Sequence, residues 1–254
     1  GTVTVQNTGV TGINNTSTGT LNNLLGGTIT VSNNPGTGIS NSGTITNSGT
    51  VTVQNTGVTG INNTSTGTLS NLLGGTIILS NIGGTITNSG TISNSGTITI
   101  SNTTGTGITN TSTGTLNNLL GGTITVSNDP GTGISNSGTI SNSGTITISN
   151  ANGTGINNTL TGILTNSGTI TTSSTSGTSV NNALGGIISN SRTLSNSGTI
   201  SNSGTIYMIG SFSGNAIVNN SPITSLTISN QNSCQLVGSW NSGTCTINNM
   251  IIAS

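Results

Sequence analysis

Few side chains in this 254-residue chain can exchange protons or hold charge. There is one acid, Asp129, one base, Arg192, no histidine, and two thiols, Cys234 and Cys245. An Asp and an Arg could serve a carbohydrate-cleaving site, but general acid–base work on a sugar needs a second carboxylate or a base within reach of the first. No Glu, His or Lys is present to supply one. Asp129 takes the place that Asn34 holds in an otherwise equivalent Asn-Pro-Gly turn, and Arg192 follows Asn-Ser where other units have Asn-Ser-Gly. A turn role is expected for the first and a solvated surface role for the second. The same inventory offers no charged metal cluster and no basic patch for nucleic acid, so neither a cofactor nor a nucleic-acid partner is expected. No apolar run approaches the ~18 residues of a membrane span.

The remaining polar chemistry is hydroxyls and amides, and these recur at fixed spacing. Thr-x-Thr pairs are formed by Thr2 and Thr4, Thr28 and Thr30, Thr50 and Thr52, Thr97 and Thr99, Thr123 and Thr125, Thr145 and Thr147, and Thr169 and Thr171. Breaks are expected at Ile78, Ile188 and Tyr207. On a strand such pairs share one face. The resulting grid resembles the ice-binding surface of β-solenoid antifreeze proteins, which implies a capacity to order water. Thr is also the natural solvent-facing strand residue where charge is avoided.

Asparagine recurs in three columns. One runs Asn7, Asn33, Asn55, Asn81, Asn102, Asn128 and Asn150; a second Asn15, Asn41, Asn63, Asn110, Asn136 and Asn158; a third Asn23, Asn47, Asn71, Asn94, Asn118 and Asn142. If successive units stack at strand spacing, side-chain amides in register can donate and accept along the stack. All three columns are expected to form such ladders.

The element that would hold these groups is a repeat. The string GTVTVQ at Gly1–Gln6 returns intact at Gly49–Gln54, and related starts fall at Gly27, Gly75, Gly96, Gly122 and Gly144. With closer starts at Gly168, Gly186 and Gly204, the mean spacing to Gly204 is about 22 to 23 residues, one turn of a parallel β-helix. Thr28-Ile29-Thr30-Val31 alternates with period two, and shorter strands follow around Ile39 and Ile45, separated by Asn-Ser-Gly corners. Ile13, Ile39, Ile61, Ile108, Ile134 and Ile156 form one inward column. Leu24-Leu25 and Leu119-Leu120 sit in glycine-bounded runs too short for a helix.

The expected fold is therefore all-β, a single-stack parallel β-helix of about ten or eleven coils of roughly 22 residues. Turn lengths vary, with an Asn-Pro-Gly insertion at Asn34–Gly36, and that variation favours right-handed winding over the uniform left-handed hexapeptide solenoids. High net charge, which drives many chains to disorder, is absent at a net charge of zero.

Gly38–Val53 (GISNSGTITNSGTVTV) and Gly90–Ile100 (GTISNSGTITI) resemble passenger repeats of filamentous-haemagglutinin and autotransporter adhesins. That resemblance, which reaches to about Ile206, implies a right-handed β-helix displayed on a bacterial surface and binding host or neighbouring cells. Separately, a long uncharged hydroxyl- and amide-rich face can contact glycans by many weak bonds.

The chain divides into a repetitive solenoid, residues 1–206, and divergent coils or a cap, residues 207–254, where all three aromatics lie. Cys234 and Cys245 flank Gly238–Gly243 with strand-like alternation on both sides, which predicts a hairpin closed by a disulfide, a feature of oxidising compartments. Gly1 opens inside a repeat, so the first coil is expected to present unpaired strand edges. Docking of Tyr207–Ser254 on that coil in a second copy would give a head-to-tail homopolymer. The combined reading is a secreted, non-enzymatic structural solenoid at the cell surface or in a filament, with an adhesin-like role. Ice binding and a carbohydrate-binding or carbohydrate-active β-helix are the alternatives.

Overall fold

Thr alternating with Ile, Val or Leu puts β-branched and aliphatic side chains on opposite faces of a pleated strand. Each winding of the chain uses that pattern three times. In the first coil β1 is Thr2–Gln6, β2 Thr11–Asn15 and β3 Thr20–Asn23. The computed structural model describes residues 1–254 except 7–8, 128–129, 150–152, 174–176, 197–198, 209–210, 215–216, 220–224, 229–237, 242–243, 248–250 and 253–254, with side chains described as far as Tyr207, Thr199 apart.

Every third strand pairs with its equivalent one winding later, always in parallel, building sheets of 10, 11 and 10 strands headed by β1, β2 and β3. The only antiparallel pairing among the described residues is Gly238–Asn241 with Thr244–Ile247. No helix occurs among the described residues.

Thr2 and Thr193 lie in one row of the first sheet, 191 residues and eight coils apart, which makes a coil about 24 residues. The shorter spacing comes from counting Gly186 and Gly204, which precede Ile187–Asn190 and Thr205–Met208 of the third sheet and do not start coils. The true start after Thr169 is Thr193. It is preceded by Arg192 instead of glycine, which hides the Gly-Thr-Ile signal.

Inward side chains form continuous stacks, and three of the rows run Ile29–Val51–Ile77, Val31–Val53–Leu79 and Ile45–Leu69–Ile92. The expected isoleucine column is present, with Ile86 added between Ile61 and Ile108 and Val180 and Ile200 beyond Ile156. Apart from Ile13, which is partly buried and packs against it, these residues belong to one unbroken core from Ile29 to Ile206. Each aliphatic removed from water contributes roughly 1.5–3 kcal/mol, yet a lone coil would leave the tops and bottoms of these side chains wet. Stacking is what buries them.

Candidate functional site

Two of the three asparagine columns are buried amide ladders. In the first, Nδ2 of Asn15, Asn41 and Asn63 donates to Oδ1 of the next asparagine at 2.7, 2.8 and 2.8 Å, the last acceptor being Asn88. The series continues through Asn110, Asn136, Asn158 and Asn182 to Asn202 at 2.8–2.9 Å. The second begins at Asn23, passes Asn47, Asn71, Asn94, Asn118 and Asn142, and ends at Asn166 and Asn190, with distances of 2.7–2.8 Å. Asn88, Asn182 and Asn202 in one ladder, and Asn166 and Asn190 in the other, extend the sets expected from sequence. All carry the same signature, an aliphatic residue two positions earlier at the end of a strand.

Each amide also ties down the backbone at a corner. Asn110 Nδ2, for example, donates to Thr139 O of the next coil at 3.0 Å and to Gly114 O at 3.1 Å. Every ladder bond runs from an earlier coil to a later one, so the amide dipoles are aligned. Further coils or copies can extend these ladders only in the same polarity.

The column of Asn33, Asn55, Asn81 and Asn102 does not form such a ladder. These residues are exposed and occupy the left-handed region, with φ of 53–55°. Their one described amide–amide bond is Asn55 Nδ2 to Asn33 Oδ1, 3.1 Å, at the surface. Asn tolerates this conformation better than other non-glycine residues, and the turn carries its side chain outward. The following residue takes the interior position instead: Asn34, Thr56, Ile82 and Thr103 are all buried. Asn7, Asn128 and Asn150, and likewise Asp129, lie outside the described residues.

On the outer face of the first sheet the threonine pairs stand in register. Thr28 lies over Thr2 and under Thr50, and beside that row Thr30 lies over Thr4 and under Thr52. Farther along, Thr97, Thr123, Thr145 and Thr169 make one row, and Thr99, Thr125, Thr147 and Thr171 make the other. Thr2 and Thr4, on the first strand, are exposed. From the second coil onward these threonines are partly buried, Thr125 and Thr147 among them, because flanking coils cover their sides. Ile78 breaks the grid between Thr52 and Thr99. Ile188 and Tyr207 do not, because both belong to the third sheet, and Ile188 is buried. Neighbouring hydroxyls are thus about 6.6 Å apart along a strand and about 4.8 Å apart between coils.

Arg192 is exposed and occupies a column that is otherwise glycine, from Gly27 to Gly168. At Gly168 an added Cβ would fall 2.1 Å from Gly144 O. At the arginine the coil stands off slightly, with Thr193 N to Gly168 O at 3.1 Å against 2.9 Å for Thr169 N to Gly144 O one coil earlier. Among the described residues no group of three His, Cys, Asp or Glu side chains gathers to hold a metal.

The expected hairpin near the cysteines is present but tighter. Its first strand is Gly238–Asn241, not the segment at Cys234, and its register sets Trp240 opposite Cys245. Trp and Thr favour extended pairing, and the Gly238–Asn241 and Thr244–Ile247 segments supply both. Cys234 lies outside the described residues. Among the described residues no helix is long and apolar enough to cross a membrane. A scan against protein-family models finds no match for this chain, and a search of curated proteins finds none either.

Proposed function

We propose that this chain is the shaft of a non-enzymatic extracellular structural element, a cell-surface or filament subunit whose adhesion is spread along its flanks. The observation that carries this reading is repetition in register: eight successive coils turn Thr, Ser and Asn outward at equivalent positions, broken in the first sheet at Ile78, over one continuous core. A catalytic site is a local departure from a pattern, whereas contact with glycans or neighbouring fibres profits from many equal weak sites. The one-way ladders suit axial, head-to-tail growth, in which copies add with the same polarity. A disulfide between Cys234 and Cys245 would suit the same reading, as a staple fit for an oxidising exterior.

The test is avidity. Beads coated densely with the chain are expected to adhere to cell-wall glycans or cells while the soluble monomer shows no measurable binding. Coated beads that adhere no better than beads carrying an unrelated neutral protein would remove adhesion. Electron micrographs showing only single short rods at every concentration would remove the filament.

The registered Thr-x-Thr grid favours a second reading, ice binding. It predicts thermal hysteresis and faceted ice crystals, both lost in the double variant with Thr99→Lys and Thr125→Lys. Unmodified ice growth in the wild-type chain would dispose of it.

A further inference from the structure

Along the edge between the third and first sheets, corners of two lengths alternate over the first six coils, after which Asn166-Ser167-Gly168 and Asn190-Ser191-Arg192 are both short. Asn23-Leu24-Leu25-Gly26-Gly27, Asn71-Leu72-Leu73-Gly74-Gly75 and Asn118-Leu119-Leu120-Gly121-Gly122 are long, while Asn47-Ser48-Gly49, Asn94-Ser95-Gly96 and Asn142-Ser143-Gly144 are short. The long corners expose their leucines, with Leu25, Leu73 and Leu120 at 84%, 81% and 82% and Leu24 at 73%. Isolated apolar side chains on a surface need no explanation. These are not isolated, because they recur on every second coil, about 9.6 Å apart at ~4.8 Å per coil. Between the ridges the Ser-Gly corners leave notches. The notch beyond Leu120 is a groove lined by Leu120, Gly122, Ser143, Gly144 and, on its far wall, Gly168 and Arg192.

We infer that this edge pairs two copies of the chain side by side, each seating its leucine ridges in the notches of the other. A partner that meets every notch must carry ridges with the same two-coil period, and the chain itself has that period. Antiparallel rods related by a two-fold axis engage all three ridges. Leu24-Leu25 enters the partner's notch at Ser143–Gly144, Leu72-Leu73 the one at Ser95–Gly96, and Leu119-Leu120 the one at Ser48–Gly49. Such a contact is isologous and closes as a dimer. The edge from Leu24 to Gly144 carries no charged residue, and Arg192, on the far wall of the last notch, is the one charge beside it. In the antiparallel pair the two Arg192 side chains stand at opposite ends of the contact and do not face each other. The engaged edge spans only six coils, which puts the contact at the small end of specific interfaces and the affinity in the micromolar range. This lateral pairing is distinct from axial stacking and would hold with or without adhesion to cells.

Sedimentation velocity across a concentration series tests it. The wild-type chain is expected to pass from monomer to dimer at micromolar concentration. The triple variant with Leu25→Ser, Leu73→Ser and Leu120→Ser is expected to need at least tenfold more protein, with an unchanged circular dichroism spectrum and unfolding midpoint. Orientation is read by mixing single-cysteine variants under mild oxidation and identifying linked peptides by mass spectrometry. Leu25→Cys should link to Ser143→Cys and not to Ser48→Cys. A dimer indifferent to the triple substitution, or a Leu25–Ser48 link, overturns the proposal. So does a wild-type monomer that binds neutral phosphatidylcholine vesicles through the same leucines, which would assign the edge to a lipid surface.

Discussion

Asn110 shows what one ladder residue does. It accepts from Asn88 at 2.8 Å and donates to Asn136 Oδ1 at 2.8 Å, Thr139 O at 3.0 Å and Gly114 O at 3.1 Å, all without access to water. Asn110→Asp keeps the shape but replaces the donor with an oxygen facing three acceptors. The buried carboxylate is then both desolvated and repelled, which should cost about 3 kcal/mol or more at pH 7. Desolvation raises the folded-state pKa above the unfolded value of about 3.9. Below that pH the acid is neutral in both states and its O–H restores one donation; stability falls as pH rises above it. Chemical denaturation at pH 3 and pH 7 should therefore show the variant closer to wild type at the lower pH. A buried hydroxyl gives the opposite sign. Thr56 Oγ1 has no hydrogen-bond partner and is buried, as is Thr103 Oγ1. Thr56→Val removes an unsatisfied group at equal volume, and the unfolding free energy should rise by about 1 kcal/mol.

Corners, more than strands, decide whether coils can stack. At Gly90 an added Cβ would lie 2.2 Å from Gly67 O and 2.3 Å from Thr64 O of the coil before it. Gly90→Ala must separate two coils, and a loss of ~3 kcal/mol or more in thermal or urea unfolding is expected, as for an overpacked core. Gly74 has open space around it and is held only by φ of +84°. Gly74→Ala should cost about 1–2 kcal/mol, the penalty of left-handed backbone alone. Equal losses at the two sites would mean that close approach between coils is not what demands glycine at the corners. The same corners set how far the sequence can be read. Period-two alternation exposes the strands, and an aliphatic two residues before Asn at a strand end marks the ladders. That rule also fits Val31-Ser32-Asn33, where it fails. Extrapolated alternation sends Asn33 inward, but its positive φ turns it to solvent and hands the interior to Asn34. The residues after the asparagine distinguish the cases: Ser-Gly or a longer run ending in glycine after ladder residues, Asn190 with Ser-Arg excepted, and a buried side chain in the next position after the surface ones. In the sequence the leucine ridges are legible only as runs too short for a helix. Their alignment on one edge depends on coils of alternating length, and that needs the register.

At the scale of the molecule the governing fact is the absence of charge. Most proteins carry acids whose pKa values differ between folded and unfolded states, so stability moves with pH. Here there is one acid, one base and no histidine. Between about pH 5 and pH 7 no side-chain type in the chain passes through its ordinary titration range. Stability therefore rests on stacked aliphatics, backbone ladders and neutral amides, none of which binds or releases protons. Urea unfolding midpoints at pH 5, 6 and 7 should coincide, and 0.5 M sodium chloride should leave them nearly unchanged, because one acid and one base allow at most one side-chain ion pair to screen. Sodium sulfate should raise them, because it strengthens apolar burial generally. Lateral pairing through the leucine edge should share this insensitivity to sodium chloride, since Arg192 beside the last notch is its one charge and meets apolar Leu24 and Leu25 of the partner copy. A steep dependence on pH in this window, or a dimer that dissociates as sodium chloride is added, would mean that ionic groups carry part of the load after all. With Asp129 and Arg192 the only charged side chains, those two positions would be the first to substitute in tracing it.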